Sequence, residues 1–147
     1  MLSLRMSIQE RENSYRKVVR YIDNAADILR TKARKKEKYY EDEKYVRMAC
    51  STAYNGTLLA LDTYLALKGK PVDKRKGRLS VDDYSKQLAK VNSKLLNAFN
   101  TAYNVLHLYG YYDGEKKADI IRSGFDSAIE IINQIKPPGL GALKLIQ

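Results

Sequence analysis

A chain of 147 residues is long enough to bury one core of its own without help from disulfides or metal, so one domain over residues 1–147 is the expectation. The lone cysteine, Cys50, excludes an internal disulfide framework and points to a reducing compartment, the cytoplasm; no apolar run approaches the roughly 20 residues of a membrane helix, so no membrane partner is expected. The net charge of +10 is concentrated, with eleven Lys or Arg against five acids in residues 1–40 and six against one in residues 68–78, a distribution that suits phosphate backbones, anionic lipid or an acidic protein partner.

Ser7-Ile-Gln-Glu10 has the form of a capping box and predicts the start of a helix. Tyr15, Val18, Val19, Ile22, Ala25, Ala26 and Leu29 then repeat at three and four residues as one apolar stripe. That helix, about 8–33, is expected to fade where Lys32, Arg34, Lys35, Lys36 and Lys38 crowd together, because like charge is tolerated best at a helix C-terminus, where the macrodipole is negative. A second helix, about 41–68, begins with the acids Glu41, Asp42 and Glu43 and stops at Gly69. Its short residues Ala49, Thr52, Ala53, Gly56 and Ala60 predict close approach of a neighbouring helix, and Cys50 reads as inert filling of the same region.

Gly69 to Ser80 is a loop by composition. Ser80-Val-Asp-Asp83 predicts the cap of a third helix, about 81–109, whose stripe runs unbroken through Tyr84, Leu88, Val91, Leu95, Ala98, Phe99, Ala102, Val105 and Leu106. After Tyr111-Tyr-Asp-Gly114 a fourth helix, about 115–135, carries Ala118, Ile121, Phe125, Ala128, Ile131, Ile132 and Ile135 inward and ends before Pro137 and Pro138. A short apolar tail, Gly139 to Gln147, is expected to fold back or to pack on a partner. No strand run competes, so the fold class is all-α, an up-down-up-down four-helix bundle. In that topology the loops after helices 1 and 3 share one end, and the second basic cluster lies at the other, on the order of 40 Å away.

The end of helix 3 holds the sole histidine, His107, among Asn100, Tyr103, Asn104, Tyr109, Tyr111, Tyr112 and Asp113. Here polar, titratable and aromatic groups crowd together, which makes it the candidate ligand site, with Lys32, Arg34, Lys35, Lys36 and Lys38 as its basic patch. A general base near neutral pH is most easily a histidine, but phosphate chemistry also wants a fixed cation, and none lies within two turns before His107; helix 1 would have to supply it. One His and one Cys without metal-ligand spacing predict no metal site, and the absence of a phosphate-binding glycine loop predicts no nucleotide cofactor.

The order Tyr45-Val-Arg-Met-Ala-Cys-Ser-Thr-Ala-Tyr54, Leu58-Leu-Ala-Leu-Asp-Thr-Tyr-Leu-Ala-Leu-Lys-Gly69 and a helix ending Leu108-Tyr-Gly-Tyr-Tyr-Asp113 resembles the HEPN superfamily of helical-bundle domains over roughly residues 40–135. The resemblance implies association with RNA cleavage, nucleotide binding or partnership with minimal nucleotidyltransferases. Family ribonucleases carry an arginine separated from the histidine by four to six residues; here six intervening residues land on Asn100 and the closer spacings on Thr101 and Ala102. The resemblance therefore implies a non-enzymatic module that binds RNA, a nucleotide or a nucleotidyltransferase-type protein at the His107 end. A homodimeric interaction bundle without a nucleic-acid role is the alternative, and a divergent ribonuclease using His107 the third.

Overall fold

The computed structural model describes residues 6–77 and 79–141 of the chain; these are mostly helical, with one small hairpin and connecting loops. Arg78, in the second basic cluster, and the expected tail from residue 142 onward lie outside the described residues.

Helix α1 (Ile8–Asp27) starts at the expected capping box: the Glu10 backbone N–H donates to Ser7 Oγ at 3.0 Å and the Ser7 N–H to Glu10 Oε1 at 2.8 Å. Tyr15, Val18, Ile22 and Ala25 are buried. Over Ile28–Ala33 the chain widens into π-helical turns that keep Leu29 and Ala33 in the core, and the helix then stops within the basic run. The expected run of helix to residue 33 is thus right in length and wrong in winding. No strand was expected, yet Lys35–Lys36 (β1) pairs antiparallel with Tyr39–Tyr40 (β2), Lys35 opposite Tyr40 and Lys36 opposite Tyr39. The reversal is made by Glu37 and Lys38, with Glu37 at φ 58°, and Arg34 just before it lies at φ 52°. Both are conformations that non-glycine residues seldom adopt.

Helix α2 (Glu43–Leu67) is capped by Asp42, whose carboxylate accepts the Lys44 N–H at 3.0 Å. Its Ala49, Ala53, Gly56 and Ala60 are buried, as their small size predicts. A Cβ on Gly56 would stand 2.8 Å from Tyr21 Cβ, so α1 crosses α2 at a point where only hydrogen fits.

The stripe expected to run as one helix over 81–109 belongs to three segments. Helix α3 (Val81–Val91) stops at Asn92, which sits extended at φ −162°, ψ 93°, and α4 (Ser93–Ala102) restarts at once. Asn92 makes the break: its Oδ1 accepts the Leu95 N–H at 3.0 Å and its Nδ2 donates to the Tyr64 hydroxyl at 3.1 Å. From Tyr103 to Tyr112 the backbone is π-helical. Helix α5 (Ala118–Asn133) is shorter at both ends than the expected 115–135 and packs Ile121, Phe125, Ala128 and Ile132 inward against α4 and the Tyr103–Tyr112 segment. The buried side chains of all five α-helices form one cluster, with Phe99, Phe125, Leu61, Leu106, Ile121 and Ile132 among its fully enclosed members.

Candidate functional site

The Tyr103–Tyr112 segment is wound by hydrogen bonds to the fifth residue back, a rare winding associated with functional positions. Its end is tied off by three backbone bonds, Asp113 N–H to Leu108 C=O at 3.0 Å, Gly114 N–H to Gly110 C=O at 3.1 Å and Glu115 N–H to Tyr109 C=O at 2.8 Å. Gly110 faces Cys50 so closely that any side chain there would strike its sulfur and Cβ, which lets this segment lie directly on α2. Tyr103, His107 and Tyr111, four residues apart along one face, form a ladder of rings.

His107 stands at the centre of that ladder. Its ring stacks on Tyr103 at 5.5 Å between centroids, on Tyr111 at 5.9 Å and on Tyr54 from α2 at 4.8 Å, while Tyr112 meets it edge-on at 5.1 Å. Partial burial among these rings lowers the histidine pKa below its ordinary value. Burial raises the Tyr54 hydroxyl pKa, with the neighbouring Tyr103 adding to it, and burial pushes the Cys50 thiol up to about 12. Cys50 is a packing residue with negligible thiolate at neutral pH.

Of the predicted site residues, Tyr103, His107, Tyr111 and Tyr112 come together. Asn100, Asn104 and Asp113 do not join them: they are exposed and make no side-chain hydrogen bond among the described residues. Two contributors were missed. Tyr54 supplies the closest ring, and Arg47 of α2 supplies a cation where the sequence pointed to helix 1. The Arg47 guanidinium donates to Tyr111 C=O at 2.9 Å, to Tyr112 C=O, and through Nε and Nη2 to Glu43 Oε2 at 3.0 and 2.7 Å. The pairing of Glu43 with Arg47 at i and i+4 was the signal in the sequence; its reach to Tyr111, 64 residues on, was not. With both Nη1 donors on carbonyls and Nε and Nη2 on Glu43, Arg47 ties the end of the ladder to α2 and has four of its five N–H donors engaged.

The basic patch and the tyrosine turn do share an end. Tyr40 N–H donates to Lys116 C=O at 2.8 Å and Ala118 N–H to Lys38 C=O at 2.9 Å, which lays the hairpin along the segment that follows Gly114. Lys32, Arg34, Lys35, Lys36 and Lys38 are exposed, and so are Lys116 and Lys117. The second cluster lies at the far end of α2, where Lys74 pairs with Asp62 at 2.9 Å and Arg75 with Asp73 at 3.1 Å. Among the described residues no group of three His, Cys, Asp or Glu is placed to hold a metal ion, and no helix is long and apolar enough to cross a membrane.

Chemically, the site offers a neutral imidazole, stacked and without a hydrogen-bonded carboxylate to orient it, and a set of open tyrosine faces beside lysines. Stacked rings of this kind can take a planar group, and lysines an anionic one. A solved structure of a protein of unknown function from Dyadobacter fermentans is similar in fold and sequence, with a TM-score of 0.77 and 42% identity over 88% of this chain and 97% of that one. No curated protein matches the chain. Residues 13–137 match the family described as Domain of unknown function (DUF5618), and the chain belongs to that family.

Proposed function

We propose that this chain is a HEPN-like, up-down-up-down helical bundle that works as a non-enzymatic binding module, taking RNA or a nucleotide at the His107 end. One observation carries the reading. Of the twelve tyrosines, the four that are exposed, Tyr39, Tyr109, Tyr111 and Tyr112, all fall at the end that also carries Lys35, Lys36, Lys38, Lys116 and Lys117. Exposed rings are unfavourable in water unless something covers them, and rings next to cations suit bases next to phosphates. The engagement of Arg47 by Glu43 and two carbonyls supports binding without turnover, since most of its donors are committed to holding the end of the ladder and its charge is shared with Glu43.

The test is fluorescence anisotropy of a labelled oligouridylate at rising salt, with RNA integrity followed in the same samples. The expected outcome is affinity that falls steeply with salt, weakens when Lys35 and Lys36 become Glu, drops about tenfold for Tyr111→Ala with Tyr112→Ala, and leaves the RNA intact. Absence of binding at low salt would overturn the proposal. Cleavage by the wild type that His107→Ala abolishes would overturn its non-enzymatic part. A homodimer, or a complex with a nucleotidyltransferase-type protein, is the competing use of the same rings; light scattering that shows a dimer lost on Tyr111→Ala with Tyr112→Ala would favour it.

A further inference from the structure

We propose that Tyr39, held between Lys36 and Lys117 on the outer face of the hairpin, is a stacking and phosphate-binding step for single-stranded nucleic acid. The inference rests on the binding reading above and adds a site with a defined ligand class. It follows from strand register. Lys36 is the cross-strand partner of Tyr39 in the hairpin, and Lys117 is its antiparallel partner on the other side. Directly opposed residues point to the same face with Cβ atoms about 4.5–5.5 Å apart, so the three side chains form one row, cation, ring, cation. Alternation decides which face that is. Tyr40 turns inward and packs against the core, while Tyr39 stands 54% exposed with Lys36 and Lys117 exposed on either side.

The row is built rigidly. Glu41 N–H donates to Ala33 C=O at 3.1 Å and to Arg34 C=O at 2.8 Å, Asp42 N–H donates to Ala33 C=O at 3.2 Å, and the 116–118 segment bonds the free edge. Two non-glycine residues at positive φ, Arg34 and Glu37, are the backbone strain accepted to make the turn here. Glu37 and Glu115 flank the row, and the Glu115 carboxylate is engaged by the Lys117 backbone N–H at 2.9 Å. A ring with a cation on each side matches one nucleotide step: a base lies on the ring and the phosphates before and after it meet the lysines. A duplex keeps its bases stacked inside and would use only the lysines, and an acidic peptide would leave the ring uncovered.

The experiment compares Tyr39→Ala, Tyr39→Phe and Lys36→Ala with Lys117→Ala against the wild type, using labelled oligouridylate, a duplex RNA and heparin as probes. Tyr39→Ala should weaken the oligouridylate about tenfold, Tyr39→Phe should restore it, and neither should change heparin binding. Removing both lysines should lower the slope of log affinity on log salt by about 1.4, or about 0.7 for each single-strand phosphate contact. Ultraviolet cross-linking of oligouridylate to the wild type, read by mass spectrometry, needs no variant to fold and should place an adduct on Tyr39. Wild type that binds neither RNA overturns the broader reading and this one with it. Wild-type binding that Tyr39→Ala leaves unchanged, equal loss for heparin, tighter binding of duplex, or adducts only elsewhere overturns this inference alone. Loss on Tyr39→Ala with none on Tyr111→Ala and Tyr112→Ala would keep it and move the ligand away from His107.

Discussion

His107 is placed where its protonation should be felt in stability. Partial burial among Tyr54, Tyr103, Tyr111 and Tyr112 lowers its pKa in the folded chain. Above the ordinary value of 6.5 the imidazole is neutral folded and unfolded, and contributes no slope. Below it the unfolded chain takes up the proton first, so stability falls with falling pH until the lower folded pKa is passed. His107→Gln should remove that component and give a shallower fall of the urea midpoint across this range. Carboxylates act on both proteins alike and cancel in the comparison. Parallel curves would show that the ring cluster does not discriminate against the imidazolium.

At the scale of elements, the crossing of α1 over α2 turns on Gly56. An alanine would gain up to about 1 kcal/mol in helix propensity over glycine. Its Cβ would stand 2.8 Å from Tyr21 Cβ, an atom fixed to the α1 backbone that has no rotamer through which to retreat. The clash should win, and Gly56→Ala should lower stability by about 1–3 kcal/mol in chemical denaturation, with Gly56→Leu worse; a raised midpoint would show that the helices separate freely. That contact was legible because small residues at helical spacing have few other uses, and the Ser7 cap was legible because its geometry is local. The break at Asn92 was not. Leu88, Val91 and Leu95 keep their spacing across it, and apolar periodicity does not sense one extended residue between two helices. π-winding hides in the same way, since Tyr103, His107 and Tyr111 are four apart under either winding. Lys35 to Tyr40 lacks the Asn-Gly or Asp-Gly turn that marks a hairpin and reads as a charged helix end. Arg47 and Tyr54 were missed at the site because contacts this far apart in the chain leave no periodic trace.

Across the whole molecule, the start of α1 is fastened to the end of α5 by Arg11. An arginine in the opening turns of a helix faces the positive end of that helix's own dipole and is poorly placed by local rules. Its partners explain it: Nε donates to Ile135 C=O and Nη2 to Lys136 C=O, each at 3.0 Å. Those carbonyls lie just beyond α5 and before Pro137 and Pro138, which have no N–H to offer and end the run of helical donors. The planar fork of arginine reaches both oxygens at once, whereas an ammonium would hold them less well. Arg11→Met keeps most of the apolar stem and removes both bonds; it should cost about 1–2 kcal/mol, with Arg11→Lys between it and the wild type. Hydrogen exchange adds a readout that a merely local effect would not move: protection should fall both in the first turns of α1 and in the last turn of α5. Loss confined to α1, or an unchanged urea midpoint, would show that the two ends are held by apolar packing alone.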